Sequence, residues 1–239
     1  MKNKKANPFF KFKQFTIYQD QCAMKVGTDG VLLGAYAHFE NPKNILDIGT
    51  GTGLLSLMMA QKFPNAAITA IEIEEKAFAQ AKSNFEIADF GKNILSFHTS
   101  FQDFTTNQKF DLIVCNPPFF INALKPENQE RLSARHTDFL PILFLMEKVK
   151  LLLNENGCFY MIFPSENLIE IEKECEANQL FINEKLLIKP TTEKAEKRII
   201  FQIGLHQKPL FLNTLIIESE RHQYSEAYKN LTKDFYLNF

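Results

Sequence analysis

From Asn44 onward, short apolar runs alternate with longer runs of helical spacing. "NILDIG" (44–49) reads as a strand ending in glycine. "LLSLMMAQKF" (54–63) reads as a helix that stops before Pro64. "AAITAIEI" (66–73) is a second strand, and "EEKAFAQAKSNFEIADF" (74–90) an amphipathic helix. Its Glu74 and Glu75 lie in the first turn, where acids favour the positive end of the helix dipole. Strands follow at 94–100 and 110–116, a long helix at 139–153, and a strand at 157–164. A helix capped by Ser165 then covers 165–179. Two β-like runs close the series, at 181–190 and 197–205, with no helical pattern between them, so they are expected to pair antiparallel at the sheet edge.

Strands and helices in this alternation predict a parallel sheet covered on both faces. Leu112–Cys115 is apolar on both sides, as a strand buried in such a sheet must be. The expected fold is therefore α/β, a doubly wound, seven-stranded, mostly parallel sheet with an antiparallel edge hairpin. Neither a repeat nor a low-complexity linker interrupts it. Residues 1–239 read as a single domain, with residues 1–40 an N-terminal extension that contributes to the site. The closing stretch from Glu220 has a helical, mixed-charge look.

Composition narrows the class. The 239 residues are 45% hydrophobic and 23% charged, the profile of a soluble globular chain. A net charge of -1 excludes a polycation, so any contact with nucleic acid has to come from local patches. The 4 cysteines lack CxxC spacing and the 5 histidines lack HxxxH or HxH pairing; core thiols in a reducing compartment, and no metal, are expected. The basic start lacks the apolar segment of a signal peptide, and no run approaches the roughly 18 apolar residues of a membrane span. The expected location is the cytoplasm.

Candidate chemistry begins with "LDIGTGTGLLS", which places Asp47, Gly49, Thr50, Gly51 and Gly53 between a strand and a helix. Glycines there permit positive φ and let a ligand touch the backbone, and the following helix offers free N–H groups. Glu72 ends the next strand. In a right-handed β-α-β unit its carboxylate lies beside the glycine turn, where it can accept the hydroxyls of a ribose. The dinucleotide pattern G-x-G-x-x-G/A fits neither frame, because Leu54 or Ser56 falls at its last position. The form D-x-G-x-G-x-G instead resembles motif I of the Rossmann-like class I S-adenosylmethionine-dependent methyltransferases. That resemblance implies S-adenosylmethionine as cofactor and S-adenosylhomocysteine as product. It also assigns Asp103, just past the third strand, to the adenine amino group; on its own the residue reads equally as part of an acidic turn.

The second feature is "FDLIVCNPPFF" (110–120), a buried strand running into Asn116, Pro117, Pro118 and Phe119. An exocyclic amine such as that of adenine is a poor nucleophile, because its lone pair is delocalised into the ring. The Asn116 side-chain oxygen and the Pro117 carbonyl can accept its two N–H groups, while the prolines stiffen the turn. The ring of Phe119 can stack on the base, worth about 1–3 kcal/mol. No strong base is required, since the sulfonium already activates the methyl group. The turn is similar to motif IV of the amino-methyltransferases, whose targets are adenine N6, cytosine N4, guanine N2 or a glutamine side chain.

The block "FKQFTIYQDQCAMKVGTDGVLLGAYA" (12–37) narrows the target. Its Gly27–Gly30 turn leads into an apolar helix that Thr28 or Asp29 can cap. Together with "NPPFF", "SARH" (133–136) and "FYL" (235–237), this block resembles the bacterial tRNA adenine-N6 methyltransferases that modify adenosine 37, beside the anticodon, of valine tRNA. The likeness covers most of the chain. It implies that Lys25, Thr28 and Asp29 lie near the cofactor or substrate. Phe119 departs from the tyrosine commoner there, losing the hydroxyl and keeping the ring. Protein glutamine-N5 methyltransferases and rRNA guanine-N2 methyltransferases share the turn and stand as alternatives. The former usually carry a helical domain for which the residues before the sheet leave no space.

Charge placement supports tRNA as partner. Lys125, Arg131, Arg135 and His136 follow the Asn-Pro-Pro turn in a loop suited to phosphates. Lys2, Lys4, Lys5, Lys11 and Lys13, with Phe9, Phe10 and Phe12 among them, form either a further contact or a solubilising tail. The stretch from Lys185 to Arg198 also holds Glu193 and Glu196 and reads as an ordinary charged hairpin. No obligate protein partner and no membrane contact are expected.

Overall fold

A computed structural model describes residues 7–22, 25–117 and 141–238. Pro118, Phe119, Lys125, Arg131, Arg135 and His136 therefore lie outside the described residues. Strands β1 (Phe9–Lys11) and β2 (Thr16–Tyr18) form a hairpin that precedes helix α1 (Thr28–Tyr36). The alternating part runs β3 (Asn44–Ile48), α2 (Leu54–Lys62), β4 (Ala67–Glu72), α3 (Glu75–Ile87), β5 (Ile94–His98), β6 (Phe110–Cys115), α4 (Ile142–Leu152), β7 (Leu153–Pro164), α5 (Leu168–Ala177). Then come β8 (Phe181–Thr191), β9 (Arg198–Gly204), β10 (Phe211–Glu220), β11 (Gln223–Tyr224) and α6 (Glu226–Thr232).

The seven anticipated strands stand in the order β5-β4-β3-β6-β7-β9-β8. Strands β3 to β7 pair in parallel, and β9 runs antiparallel between β7 and β8. The sheet then extends further than the pattern predicts: β10 pairs in parallel outside β8, and β11 adds a short antiparallel piece. Strand β10 escaped notice because Leu210, Phe211 and Leu212 are all exposed, so the stretch shows no alternation. Of the closing stretch, only Glu226–Thr232 is helical, capped by the Ser225 hydroxyl accepting from the Tyr228 N–H.

Each face of the sheet has its own apolar layer. One holds Leu112, Val114, Tyr160 and Ile162 under α1, α2, α3 and α6; the other holds Ile113, Phe159, Met161 and Phe201 under α4 and α5. Two expected caps are absent. Gly27 starts α1 with no side-chain cap, and Ser165 donates its hydroxyl to the Glu196 carbonyl (2.7 Å), so α5 begins after a short 3₁₀ turn. Glu74 does cap α3, accepting from the Lys76 and Ala77 N–H groups.

The N-terminal extension is held by side chains rather than by strand pairing with the main sheet. Asn84 on α3 is fully buried; its Oδ1 accepts the Tyr18 N–H (3.0 Å), and its Nδ2 donates to the carbonyls of Tyr18 (2.9 Å) and Thr52 (2.8 Å). One turn away, Gln80 accepts the Gln21 N–H (3.1 Å). The aromatic residues of the tail turn inward. Phe12 is buried and stacks on Phe15 and Tyr236, joining the two ends of the chain. At the far end of α1, the half-buried Lys62 ammonium donates to the carbonyls of Ala35 (2.8 Å) and Ala37, and desolvation lowers its pKa to about 8.

Removing the Asn84 amide takes the partner from three backbone groups, the buried Thr52 carbonyl and the part-buried N–H and carbonyl of Tyr18. Asn84→Ala is expected to cost about 2–4 kcal/mol in urea unfolding, more than Gln80→Ala, whose side chain holds a single N–H of the extension. Equal losses in the two variants would contradict this reading.

Candidate functional site

Three adjacent parallel strands end together. Ile48 on β3 pairs with Ile71 on β4 and with Cys115 on β6, so Gly49, Glu72 and Asn116 follow one another along the same rim. From β3 the chain crosses to β4 on one side, while β6 pairs on the other. The crevice at such a switch point is where open α/β sheets take ligands. At about 4.8 Å per strand spacing, Glu72 and Asn116 stand roughly 10 Å apart across it.

The glycine turn is held open by its partners. Gly49, Gly51 and Gly53 have φ of 68°, 57° and 86°, the left-handed region that favours glycine. A Cβ at Gly49 or Gly51 would meet nothing within 4 Å, so these two face free space. Gly53 serves packing instead: a Cβ there would come within 2.5 Å of the Phe85 ring on α3. The Glu72 carboxylate accepts the N–H groups of Gly51 (2.8 Å), Ile73 (2.9 Å) and Glu74 (2.9 Å). A carboxylate has about four acceptor positions, so one remains for a further donor.

Asp47 lies beneath this turn, fully buried. Its Oδ2 accepts the hydroxyls of Thr50 (2.6 Å) and Ser56 (2.7 Å), and its Oδ1 has no partner among the described residues. Burial pushes its carboxyl up to about 6; the two hydroxyls pull the other way, and the charge of Glu72 adds to the rise. Across the crevice, Asn116 Oδ1 is likewise a buried oxygen without a donor among the described residues; the third such oxygen, Gln61 Oε1, lies on α2. The Asn116 amide packs against the first turn of α1, where a Cβ on Gly30 would lie 3.6 Å from Asn116 Nδ2. Pro117 is buried behind it.

These features suit an adenosyl amino-acid cofactor. Open glycine backbone, an acid at the neighbouring strand end and an orphaned buried carboxylate oxygen match a ribose and an ammonium group. Among the described residues there is no cluster of three His, Cys, Asp or Glu side chains able to hold a metal ion.

The remaining expected residues are placed more loosely. Asp103 is exposed in the turn after β5, its carboxylate accepting the Ser100 hydroxyl (2.6 Å). Lys25 and Thr28 are exposed ahead of α1 and at its start. The Asp29 carboxylate is engaged by Arg198 on β9 (2.8 Å), away from the glycine turn. Two residues near the site went unsuspected. Ile73, directly after Glu72, is exposed at the rim, its carbonyl held by His98 Nε2 (3.0 Å). The half-buried Cys22 thiol is pushed up to about 11, by burial first and then by the charges of Glu74, Glu72 and Asp20. Neither a lone isoleucine nor a lone cysteine carries a sequence signal.

Solved structures share this architecture. A predicted O-methyltransferase from Agrobacterium tumefaciens superposes with a TM-score of 0.68 at 18% identity, covering 87% of this chain and 96% of that one. A ribosomal protein L11 methylase from Lactobacillus delbrueckii subsp. bulgaricus gives 0.56 at 21%, covering 79% and 83%. The fold is thus that of a class I methyltransferase, and residues 27–140 match the methyltransferase small domain model. Sequence relatives are far closer. Proteins from Christiangramia forsetii (41% identical, 97% of this chain, 99% of the relative) and Phocaeicola vulgatus (43%, 97% and 99%) are each named tRNA1(Val) (adenine(37)-N6)-methyltransferase. This chain belongs to that methyltransferase family.

The Asp47 carboxyl binds its proton more tightly folded than unfolded. This group therefore contributes most to stability below about pH 4, and the contribution is lost as pH rises through about 6. The stability of Asp47→Asn relative to wild type is expected to rise by roughly 2–3 kcal/mol between pH 4 and pH 7.5. A difference that stays constant across that range in denaturant unfolding would refute the burial-driven shift.

Proposed function

We propose that this protein transfers a methyl group from S-adenosylmethionine to N6 of an adenosine in tRNA, with adenosine 37 of valine tRNA the position that its relatives' names point to. The observation that carries the amine-methylating part of the reading is Asn116 Oδ1, a buried acceptor without a donor among the described residues, at the end of β6 beside the crevice. An exocyclic amine offers the donor this oxygen lacks.

In this reading Asn116 Oδ1 accepts one N–H of the target amine and the Pro117 carbonyl accepts the other. The nitrogen is thereby held toward the cofactor side, with its lone pair drawn out of conjugation with the ring. Pro117 and Pro118 keep the turn stiff, and Phe119 stacks on the base. S-adenosylmethionine, when bound, supplies an electrophilic methyl group and leaves as S-adenosylhomocysteine. Asp47 Oδ1 receives an ammonium group, Glu72 a ribose hydroxyl at its remaining acceptor position, and Asp103 the adenine amino group. Gly49, Thr50 and Gly51 line the same cradle. The leaving group is a neutral sulfide, so the transfer asks for no Lewis acid, and the product amine sheds its proton to water.

The extension at 1–40 belongs to the site in this reading, because Gly30 abuts the Asn116 amide and Lys25 and Thr28 lie at the approach to α1. Lys125, Arg131, Arg135 and His136 are assigned to tRNA phosphates on the strength of their charge and their place after the Asn-Pro-Pro turn. A tRNA substrate also argues for a cytoplasmic location.

The test offers isotopically labelled cofactor with total tRNA, ribosomal RNA and a release-factor protein, then identifies the modified species by mass spectrometry. Label in N6-methyladenosine of tRNA is expected; label in guanosine or glutamine would overturn the substrate. Asn116→Ala is expected to lower kcat by about 10²–10³-fold while cofactor affinity by calorimetry stays within about two-fold. Wild-type turnover in that variant would refute the amine-orienting role. Glu72→Ala is expected to weaken cofactor binding by at least about ten-fold, the loss of one charge-assisted hydrogen bond; unchanged affinity would remove Glu72 from the cofactor site.

A further inference from the structure

The hairpin of β1 and β2 has two unlike faces. Phe10 and Ile17 pair in register and pack against the core, where Ile17 is fully buried. Phe9 pairs with Tyr18, and Lys11 with Thr16, so these four side chains share the opposite face. Phe9 is thus the exception among the inward-turned aromatic residues of the tail. It is 41% exposed and Tyr18 40%. Their ring centroids lie 6.2 Å apart with the planes tilted by 53°, so neither ring covers the other face to face. Lys11 is exposed, and its ammonium has no hydrogen bond or ion pair among the described residues.

Position and charge decide what such a face fits. The N–H and the carbonyl of Tyr18 are both held by the Asn84 amide, which also holds the Thr52 carbonyl of the glycine turn. One side chain therefore joins the hairpin to the crevice, and strand pairing fixes the two rings relative to each other. Residues 1–13 carry 5 lysines, and the first acid in the chain is Asp20. A cationic strip with two open rings fits a polyanion that bears unstacked planar groups, the chemistry of single-stranded RNA. A cross-strand aromatic pair also steadies a hairpin by itself, but that role requires no cation beside it.

We propose that the outer face of this hairpin is a second RNA contact, in which Phe9 and Tyr18 stack on an unpaired base and Lys11 meets a phosphate of the same strand. The inference rests on the tRNA reading above and deepens it. The stacked base is a different nucleotide from the one that reaches Asn116. The contact therefore acts on how the RNA is held and leaves the methyl-transfer step alone.

The test uses the full chain with total tRNA as the probe. The chain has no tryptophan, so Tyr18→Trp places a single indole on this face. Its fluorescence is expected to be quenched as tRNA is added, because a stacked base quenches an indole. The double variant Phe9→Leu/Tyr18→Leu is expected to raise the Kd and KM for tRNA about ten-fold or more, with kcat and cofactor affinity within about two-fold of wild type. Tyr18→Phe keeps the ring and is expected to match wild type. Lys11→Gln is expected to lower the salt slope of tRNA binding by about one. Should the double variant not fold, Tyr18→Trp and Lys11→Gln carry the test. If wild type methylates tRNA but the indole signal stays unchanged at saturating tRNA, or the folded double variant keeps the wild-type KM, the hairpin contact falls while the substrate reading survives. Loss of cofactor affinity in step with tRNA affinity would reduce the face to a structural role and overturn the proposal. A signal that changes with protein concentration in the absence of RNA, alongside a dimer in light scattering, would assign the face to a second copy and overturn it too. If wild type neither binds nor methylates tRNA, the substrate reading fails and this inference falls with it.

Discussion

A buried oxygen without a donor costs about 1–3 kcal/mol, and the ends of β3 and β6 each keep one, on Asp47 and Asn116. The surrounding sheet makes both tolerable. Thr50 and Ser56 satisfy the other oxygen of Asp47, and Pro117 and the start of α1 enclose Asn116. Between the two lies a turn whose glycines present bare backbone. That cost falls on the protein until donors arrive, and in the proposed reading the cofactor ammonium and the target amine would each bring one. The remainder of the fold holds these atoms at fixed spacing, because three parallel strands in register set their separations.

Glu72 is the link between the glycine turn and the next strand. By accepting the Gly51, Ile73 and Glu74 N–H groups it ties the end of β4 to the loop after β3. The turn therefore keeps its shape without a ligand, so little ordering entropy remains to be lost on binding. The clamp made by Asn84 extends the same order outward, since one amide holds both Tyr18 of the extension and Thr52 of the turn. The N-terminal extension and the glycine turn are in this way mechanically one unit. Helix α1, fastened at its end by Lys62, brings Asp29 to Arg198 and Gly30 to the Asn116 amide.

Much of this arrangement was legible in the residue order. The alternation from Asn44 to Gly204 yields the strands and helices because the central strands are apolar on both faces, α3, α4 and α5 each have one apolar stripe, and α2 is apolar enough to be buried from Leu54 to Ala60. The D-x-G-x-G-x-G turn and the Asn-Pro-Pro turn are legible because their residue types are costly anywhere else. Other parts were hidden for physical reasons. Strand β10 exposes consecutive large apolar residues and so breaks the period that marks a strand. Thr28, Asp29 and Ser165 look like caps, but tertiary partners compete for two of them: Asp29 meets Arg198, and Ser165 meets the Glu196 carbonyl. Gly53 belongs to the motif, yet the ring of Phe85 occupies the space its side chain would need.

The chain's own sequence determined the elements, the order in which they alternate, and the two turns that carry candidate chemistry, since these depend on local spacing and residue type. Only the tertiary structure decided which side chains meet across the rim. It set Asp29 on Arg198, left Asp47 and Asn116 with unpartnered oxygens, and turned Phe12 into the core. Those outcomes depend on contacts between residues far apart in the chain, where geometry and competition for hydrogen-bond partners prevail over any local preference.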